Sequence, residues 1–443
     1  MKNTALKLIN WLLLLCLLAA CFTGCAGEGS TQTTEPQNID YAASVKLDMT
    51  SETAKQEVTV KTYVDGDTTH FYVPTSVNSN GVVKARYLAI NTPESTGSIE
   101  EFGKKASNFT KEKLSGASSI ILECDGSEWV FDSTGDRNLV WVWYRNSETE
   151  EYRNLNIEIL QNGLAIGSST TSNRYGQTCL AAIMQAKAQK LNVHSGQKDP
   201  DFFYGEAIPV DLKGLRTNIE SFNGKKVVFT GVITKESNNS VYIEQYDAET
   251  DRYYGISVYY GYGMTGKALE ILAVGNETQI VGTVQFYETG GTYQVSGLSY
   301  RPMKPDDPNN IKLISTGHSA AYKLTDPKDF AEGKVTLEVN DEVKTFDYGQ
   351  LALGTSVSMQ NLQVKSIYTT DKEDSSSKGA MTLTCEVDGV TIKVRTMVLY
   401  DADGELITAE AYEGKNIDVK GIVDFFGDEY QIKVFTEKDI TIN

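Results

Sequence analysis

The chain has 443 residues and carries 41 Lys and Arg against 59 Asp and Glu, a net charge of −18 at neutral pH. That length exceeds one ordinary hydrophobic core and predicts about two to four domains. With 40% hydrophobic and 23% charged residues the composition is globular. Wholesale disorder is excluded, and the acidic surplus argues against holding nucleic acid by general basicity.

Lys2 and Lys7 precede an apolar run from Leu8 to Ala20, with no acidic residue before Glu28. The run has the pattern of a signal peptide and is short for a membrane span of about 20 residues. It ends in Leu18-Ala19-Ala20-Cys21, which resembles a bacterial lipobox with Cys21 as the lipid-bearing residue. Cys25, after Phe22-Thr23-Gly24, is the poorer alternative, and simple secretion with unmodified cysteines is the plain one. Residues 1–20 are thus expected as a lipoprotein signal and 21–55 as a disordered, polar tether. The expected location is the outer face of a bacterial cell membrane, held there by the lipid. Losing Lys2 and Lys7 with the signal takes the net charge from −18 to −20.

The body of the chain keeps Cys124, Cys179 and Cys385, far apart and with no CxxC pair. Separate buried thiols are expected, a Cys124–Cys179 bridge being the alternative in an exported protein. His70, His194 and His318 are the three histidines. None lies near a Ser or Cys nucleophile motif, so catalytic triads and His-built metal sites are poor hypotheses.

Val58 to Val73 is β-rich and broken by Asp65-Gly66-Asp67, a hairpin signal. Val82 to Ile90 reads as a strand that Asn91-Thr92-Pro93 stops. Apolar or small residues at Phe102, Ala106, Phe109 and Leu114 predict a helix over 99–114. Strands are expected at 120–122 and 139–143, and helices at 155–165 and 180–191.

From residue 201 short β runs dominate, at 226–233, 241–246, 255–260, 279–286 and 292–298. A Pro-rich break spans Arg301 to Pro308, and the strand rhythm returns at 357–367, 381–387, 390–397, 417–425 and 430–435. The two blocks echo one another: residues 275–287 can be laid on 414–426, with Gly282 on Gly421, and each is followed by Tyr-Gln-aliphatic. A glycine where a strand bends hard suits a small closed barrel. The fold class expected is therefore multidomain. An α+β, five-stranded OB-type barrel with three helices (56–200) precedes two mainly-β OB-like barrels (205–303 and 322–443), joined by a linker over 304–321.

The first of these segments resembles the staphylococcal nuclease family. The matching pieces are Val64-Asp-Gly-Asp-Thr68, Arg86 through Asn91-Thr-Pro-Glu94, Phe102 through Lys111, Asp132 through Arg137, Gln161 through Ala165 and Gln185 through Asn192. They occur in family order over about a third of the chain. The resemblance implies a calcium-dependent phosphodiesterase acting on DNA or RNA. It places Asp67, Asn91 and the Thr92 carbonyl as calcium ligands, Glu94 as the residue that orients or deprotonates the attacking water, and Arg86 and Arg137 as the phosphate grip. The chemistry needs such groups in any fold. A hard cation with oxygen ligands neutralises phosphate charge and acidifies water. A carboxylate holds that water in line, and guanidinium forks match the equatorial oxygens.

The chain departs from the family at Asn91, where the family has an aspartate. An amide oxygen still coordinates calcium, but one negative charge is lost and weaker binding is expected. The family's nucleotide-packing tyrosines would fall within 167–173, which has none, Tyr175 being nearest. Ser133 stands where the family has a phosphate-contacting lysine, and Asp136 is an extra residue before the arginine. The alternative reading is a surface lipoprotein that binds nucleic acid with weak or no cleavage.

The later barrels offer Tyr253 and Tyr259 as candidate stacking residues for single strands. Against that, residues 201–443 hold 23 Lys and Arg against 37 Asp and Glu, whereas 56–200 hold 14 against 17. A cell-wall polymer or a protein is the other partner expected for these barrels.

Overall fold

The computed structural model describes residues 38–443, apart from 98, 170, 171, 263, 289, 373 and 374. The signal segment, Cys21 and Cys25 lie outside the described residues. The chain divides into residues 1–39 and residues 40–443, and every described strand belongs to the second unit.

The first described helix follows Asp40, well inside the stretch expected to be a tether to residue 55. Asp40 caps the short helix α1 (Tyr41–Ser44) by accepting from the Ala43 N–H, and its carboxylate pairs with Arg153 at 2.7 Å. Ala42 is fully buried in the first core. Gln161 bonds the Ala42 N–H and Asp40, and Tyr41, Val45 and Leu47 pack against the same core, so cap, ion pair and apolar contacts together hold the segment.

The first sheet is built from β1 (Lys55–Asp65), β2 (Thr68–Tyr72) and β3 (Val82–Tyr87), then β5 (Ser119–Glu123) and β6 (Asn138–Arg145) after the short β4 (Ile90–Asn91). Its order is β3-β2-β1-β5-β6, and a parallel β3–β6 pairing closes it into a barrel. A short β7 (Arg153–Asn154) extends it, and β8 (Ile166–Gly167) pairs with β4. Three helices accompany it: α2 (Gly103–Ser115), α3 (Leu155–Gln161) and α4 (Gly176–Ala188). Helix α2 starts later than its apolar spacing predicts. The chain doubles back there so tightly that a Cβ on Gly103 would lie 2.0 Å from the Glu94 carbonyl oxygen.

The second barrel comprises β10 (Lys226–Ser237), β11 (Ser240–Asp247), β12 (Arg252–Tyr259), β13 (Glu277–Tyr287) and β14 (Thr292–Ser296), with β9 (Ile208–Pro209) and β15 (Lys312–Ser315) flanking it. The third comprises β19 (Ser356–Thr369), β20 (Met381–Val387), β21 (Val390–Thr396), β22 (Asn416–Phe426) and β23 (Glu429–Val434). It is preceded by β16 (Lys323–Leu324) and the hairpin β17 (Lys334–Val339) and β18 (Glu342–Asp347), and followed by β24 (Ile440–Ile442).

All three barrels repeat one topology. The first three strands are antiparallel neighbours, the third pairs in parallel with the fifth, and the fourth closes on the first. The sequence echo falls on the two fourth strands. Gly282 pairs with Val227 and Gly421 with Val357, each opposite a first strand. A Cβ on either glycine would meet the fifth strand's carbonyl, Ser296 O at 2.7 Å or Lys433 O at 2.5 Å. Glycine permits that closure.

Two expectations need correction. The linker over 304–321 contains β15, which pairs with β13 because Ile311 just before it is buried. The β17–β18 hairpin, expected within the third barrel, buries Val335, Val339 and Phe346 in the second barrel's core. Cys124, Cys179 and Cys385 are free and buried, and burial pushes each thiol up to about 12.

Candidate functional site

The β1–β2 hairpin turns on Gly66 and Asp67, with Asp65 opposite Thr68. The turn is pressed against α2 and the β4 exit: a Cβ on Gly66 would lie 2.8 Å from both Ala106 Cβ and Thr92 Cγ2. Thr110 donates its hydroxyl to Gly66 O at 2.6 Å. This packing buries Asp67 completely.

Asp67 is the hub. Its Oδ2 accepts the Thr92 N–H at 2.8 Å, and its Oδ1 accepts the Thr68 hydroxyl at 3.0 Å together with an Arg86 N–H. The other arm of the Arg86 guanidinium donates to Asn91 Oδ1. One arginine thus ties the carboxylate of the first hairpin to the amide that ends β4. The β4–β8 pairing and the left-handed backbone of Ala89 fix where Asn91 sits.

In the parallel β3–β6 register Asn138 pairs with Ala85 and Leu139 with Arg86. One step earlier, level with Lys84 and two residues short of Arg86 along β3, stands Arg137. Its Nε donates to Asp132 Oδ2 at 2.8 Å, which fixes a side chain that is about a third exposed (32%). Glu94 lies between these groups electrostatically. Partial burial pushes its pKa up, as do the charges of Asp67 and Glu100, while Arg86 and Arg137 pull it down. The net rise makes it a better proton acceptor than an exposed glutamate.

Asp65 carries no mark of a site in the sequence, yet it is buried and accepts the Asp67 N–H at 3.2 Å. Burial first, and then the charges of Asp67 and Glu94, raise it to about 7. Only its place in a turn is visible from the residues around it, because its burial depends on α2 packing from elsewhere in the chain.

Among the described residues no three His, Cys, Asp or Glu side chains gather into a metal-holding group. The oxygens at hand are the Asp67 carboxylate, the Asn91 amide and the Thr92 carbonyl, with the buried Thr92 hydroxyl lacking any hydrogen-bond partner. This all-oxygen set, backed by the crowded carboxyls of Asp65 and Glu94, suits a hard dication in chemical type. One carboxylate among the three proposed ligands suits a weak site.

The loop after Glu94 rests on the second barrel. Ser95 O accepts from Gln285 Nε2 at 3.5 Å and Gly97 O from the buried Ser296 hydroxyl at 3.2 Å. Lys111 pairs with Glu288 at 2.6 Å across the same junction.

Tyr175 is not at the site. Its ring packs edge-on against Trp141 and Trp143, and its hydroxyl bonds the buried Glu123. Tyr253 and Tyr259 share the outward face of β12, while Tyr254 between them is core. That face is not an open stacking stripe. Gly255 on it meets the backbone of Gly354 so closely that a Cβ would lie 2.6 Å from Gly354 O. Arg216 donates to Gly255 O and Leu353 O at the same junction, and Glu244 accepts from the Ser356 N–H at 2.7 Å.

Residues 84–195 match the family model described as staphylococcal nuclease homologue. A search among curated proteins found no match. The matched stretch contains Arg86, Asn91, Thr92, Glu94 and Arg137. Asp67 precedes it, and the fold brings Asp67 onto Arg86 and Thr92. The chain therefore carries a staphylococcal-nuclease-type domain on an OB-type barrel, followed by two further barrels of that kind.

Proposed function

We propose that the protein, with residues 84–195 a staphylococcal nuclease homologue, hydrolyses phosphodiester bonds of DNA or RNA in a calcium-dependent reaction at the outer face of a bacterial membrane. The observation that carries the reading is the convergence of Asp67, Arg86, Asn91 and Thr92 in one hydrogen-bonded cluster, with Glu94 under the influence of both arginines. Asp67, Asn91 and the Thr92 carbonyl would hold calcium, which when bound neutralises phosphate charge and acidifies water.

The chain's own groups do the rest. Glu94, its carboxyl made more basic by partial burial, positions a water and accepts its proton. Arg86 and Arg137 approach from neighbouring strands and grip non-bridging oxygens, most strongly as charge builds on phosphorus. Because Asp132 already holds one edge of Arg137, the guanidinium is oriented before substrate arrives. Anchoring through lipid on Cys21, or on Cys25, places this site outside the cell. The later barrels then face wall polymer or protein.

Incubating the protein with single-stranded DNA and RNA, with calcium and then with chelator, tests the reading. Cleavage that needs calcium and falls about 10²–10⁴-fold in Glu94→Gln is expected. Absence of cleavage, or cleavage indifferent to Glu94, overturns it. Asn91 favours a second reading, capture without cutting, since a neutral amide stands where the family has a carboxylate. On that reading Asn91→Asp creates activity from none.

A further inference from the structure

The outward face of the β2–β3 ladder continues away from the candidate site. In β3 the side chains of Val82, Lys84 and Arg86 alternate outward with buried Val83, Ala85 and Tyr87. In β2 Thr68, His70 and Tyr72 lie opposite them, Thr68 on Arg86, His70 on Lys84 and Tyr72 on Val82. One column therefore runs from the phosphate-gripping Arg86 to Lys84 with His70, and ends at Tyr72. Its steps of two residues are about 6.6 Å, comparable to the repeat of an extended polynucleotide strand.

The end of the column is built for a base. Tyr72 is a large aromatic left 46% exposed. Lys61, the extra residue at a bulge in β1, places its Nζ 5.8 Å from the ring centroid. Lys372, from the third barrel, comes to 5.9 Å. Partial burial first, and then the charges of Lys84 and Lys61, hold His70 below the usual histidine range, while Asp136 pulls the other way. Asp136 also pairs with Lys84 at 2.7 Å, but the two side chains are 65% and 43% exposed respectively and such pairs are weak.

We propose that this column is a binding track for single-stranded nucleic acid leading out of the cleavage site. Lys84 and the lysines beside Tyr72 take backbone phosphates, and Tyr72 stacks a base two to three nucleotides from the scissile bond. The proposal rests on the nuclease reading for its direction, yet its test does not require cleavage. An aromatic face with flanking cations suits single strands, because a paired base offers no free face.

Binding of a fluorescein-labelled dT12 strand to the full-length protein is followed by anisotropy in chelator, where cutting is suppressed. Tyr72→Ala is expected to weaken binding at least fivefold and Tyr72→Phe to restore it, since stacking needs the ring and not the hydroxyl. Lys61→Ala with Lys372→Ala lowers the salt slope of binding by about 1.4, at about 0.7 per phosphate contact. Asp136→Asn tightens binding by releasing Lys84. The track is overturned if the wild type does not bind dT12, if Tyr72→Ala binds as the wild type does, or if a 12-base-pair duplex binds more tightly than the strand. Failure of calcium-dependent cleavage by the wild type, with binding retained, removes the nuclease reading and leaves the track.

Discussion

Arg86 holds the site together as well as serving it, and the two roles separate in Arg86→Ala. The Asp67 side chain is 1% exposed and that of Arg86 is 17% exposed. Removing one partner of a buried ion pair typically costs about 3–5 kcal/mol. Here Asp67 keeps the Thr68 hydroxyl and the Thr92 N–H, so the expected loss is nearer to about 2 kcal/mol. For a segment of this size that is a fall in melting temperature of roughly 5–8 °C. Arg86 also occupies two of the oxygens proposed above to hold calcium, Asp67 Oδ1 and Asn91 Oδ1. Calcium should then raise the melting temperature of Arg86→Ala more than that of the wild type, because the ion no longer competes with a resident cation. Cleavage should nevertheless fall about 10²–10³-fold, the usual consequence of losing one oriented donor to the developing charge. Scanning calorimetry with and without calcium, beside initial rates on single-stranded DNA, reads both effects. A chelated melting temperature within about 1 °C of wild type, or a smaller calcium shift in the variant, would refute the buried-pair argument.

Gly66→Ala should destabilise by about 1–3 kcal/mol through overpacking against Ala106 and Thr92. Urea unfolding should show part of the loss recovered in Gly66→Ala with Ala106→Gly. Gly255→Ala drives a methyl into the Gly354 carbonyl, so the second and third barrels should come apart, and limited proteolysis between them should accelerate. Burial raises the pKa of Glu244, while bonds from Ser356 and Ala321 pull it back. The folded state therefore binds its proton more tightly than the unfolded chain. Its contribution to stability is greatest below the ordinary glutamate range and is lost as pH rises through the folded value. Glu244→Gln should flatten that part of the stability profile, read as melting temperature against pH.

The local signals reported local structure well. Asp65-Gly66-Asp67 is the hairpin its composition predicts, and the paired glycines Gly282 and Gly421 close corresponding strands. The residues of the candidate site were legible as types in order. Their linkage was not, because Arg86 bridging Asp67 and Asn91 depends on two elements meeting in space. Val335, Leu337 and Val339 alternate visibly ahead of Asn340-Asp341, so the hairpin at 334–347 carried a strand signal. What it packs on did not, since its apolar face is matched to the core of another barrel. Tyr175 shows the opposite failure: nearness in sequence to a missing tyrosine said nothing about Trp141 and Trp143, which claim its ring.

The hydrogen bonds from Gln285 and Ser296 to Ser95 and Gly97 bear on how much of the chain the candidate site needs. Holding a loop residue in one backbone conformation costs about 1–2 kcal/mol of entropy. For the residues just past Glu94, part of that cost is met by side chains almost 200 positions later in the chain. A fragment ending near residue 200 would keep its barrel and helices while the glutamate's loop sampled alternatives. On the nuclease reading, excision would then yield a well-folded but slower catalyst, and the sequence separating Glu94 from its support would make the loss look allosteric.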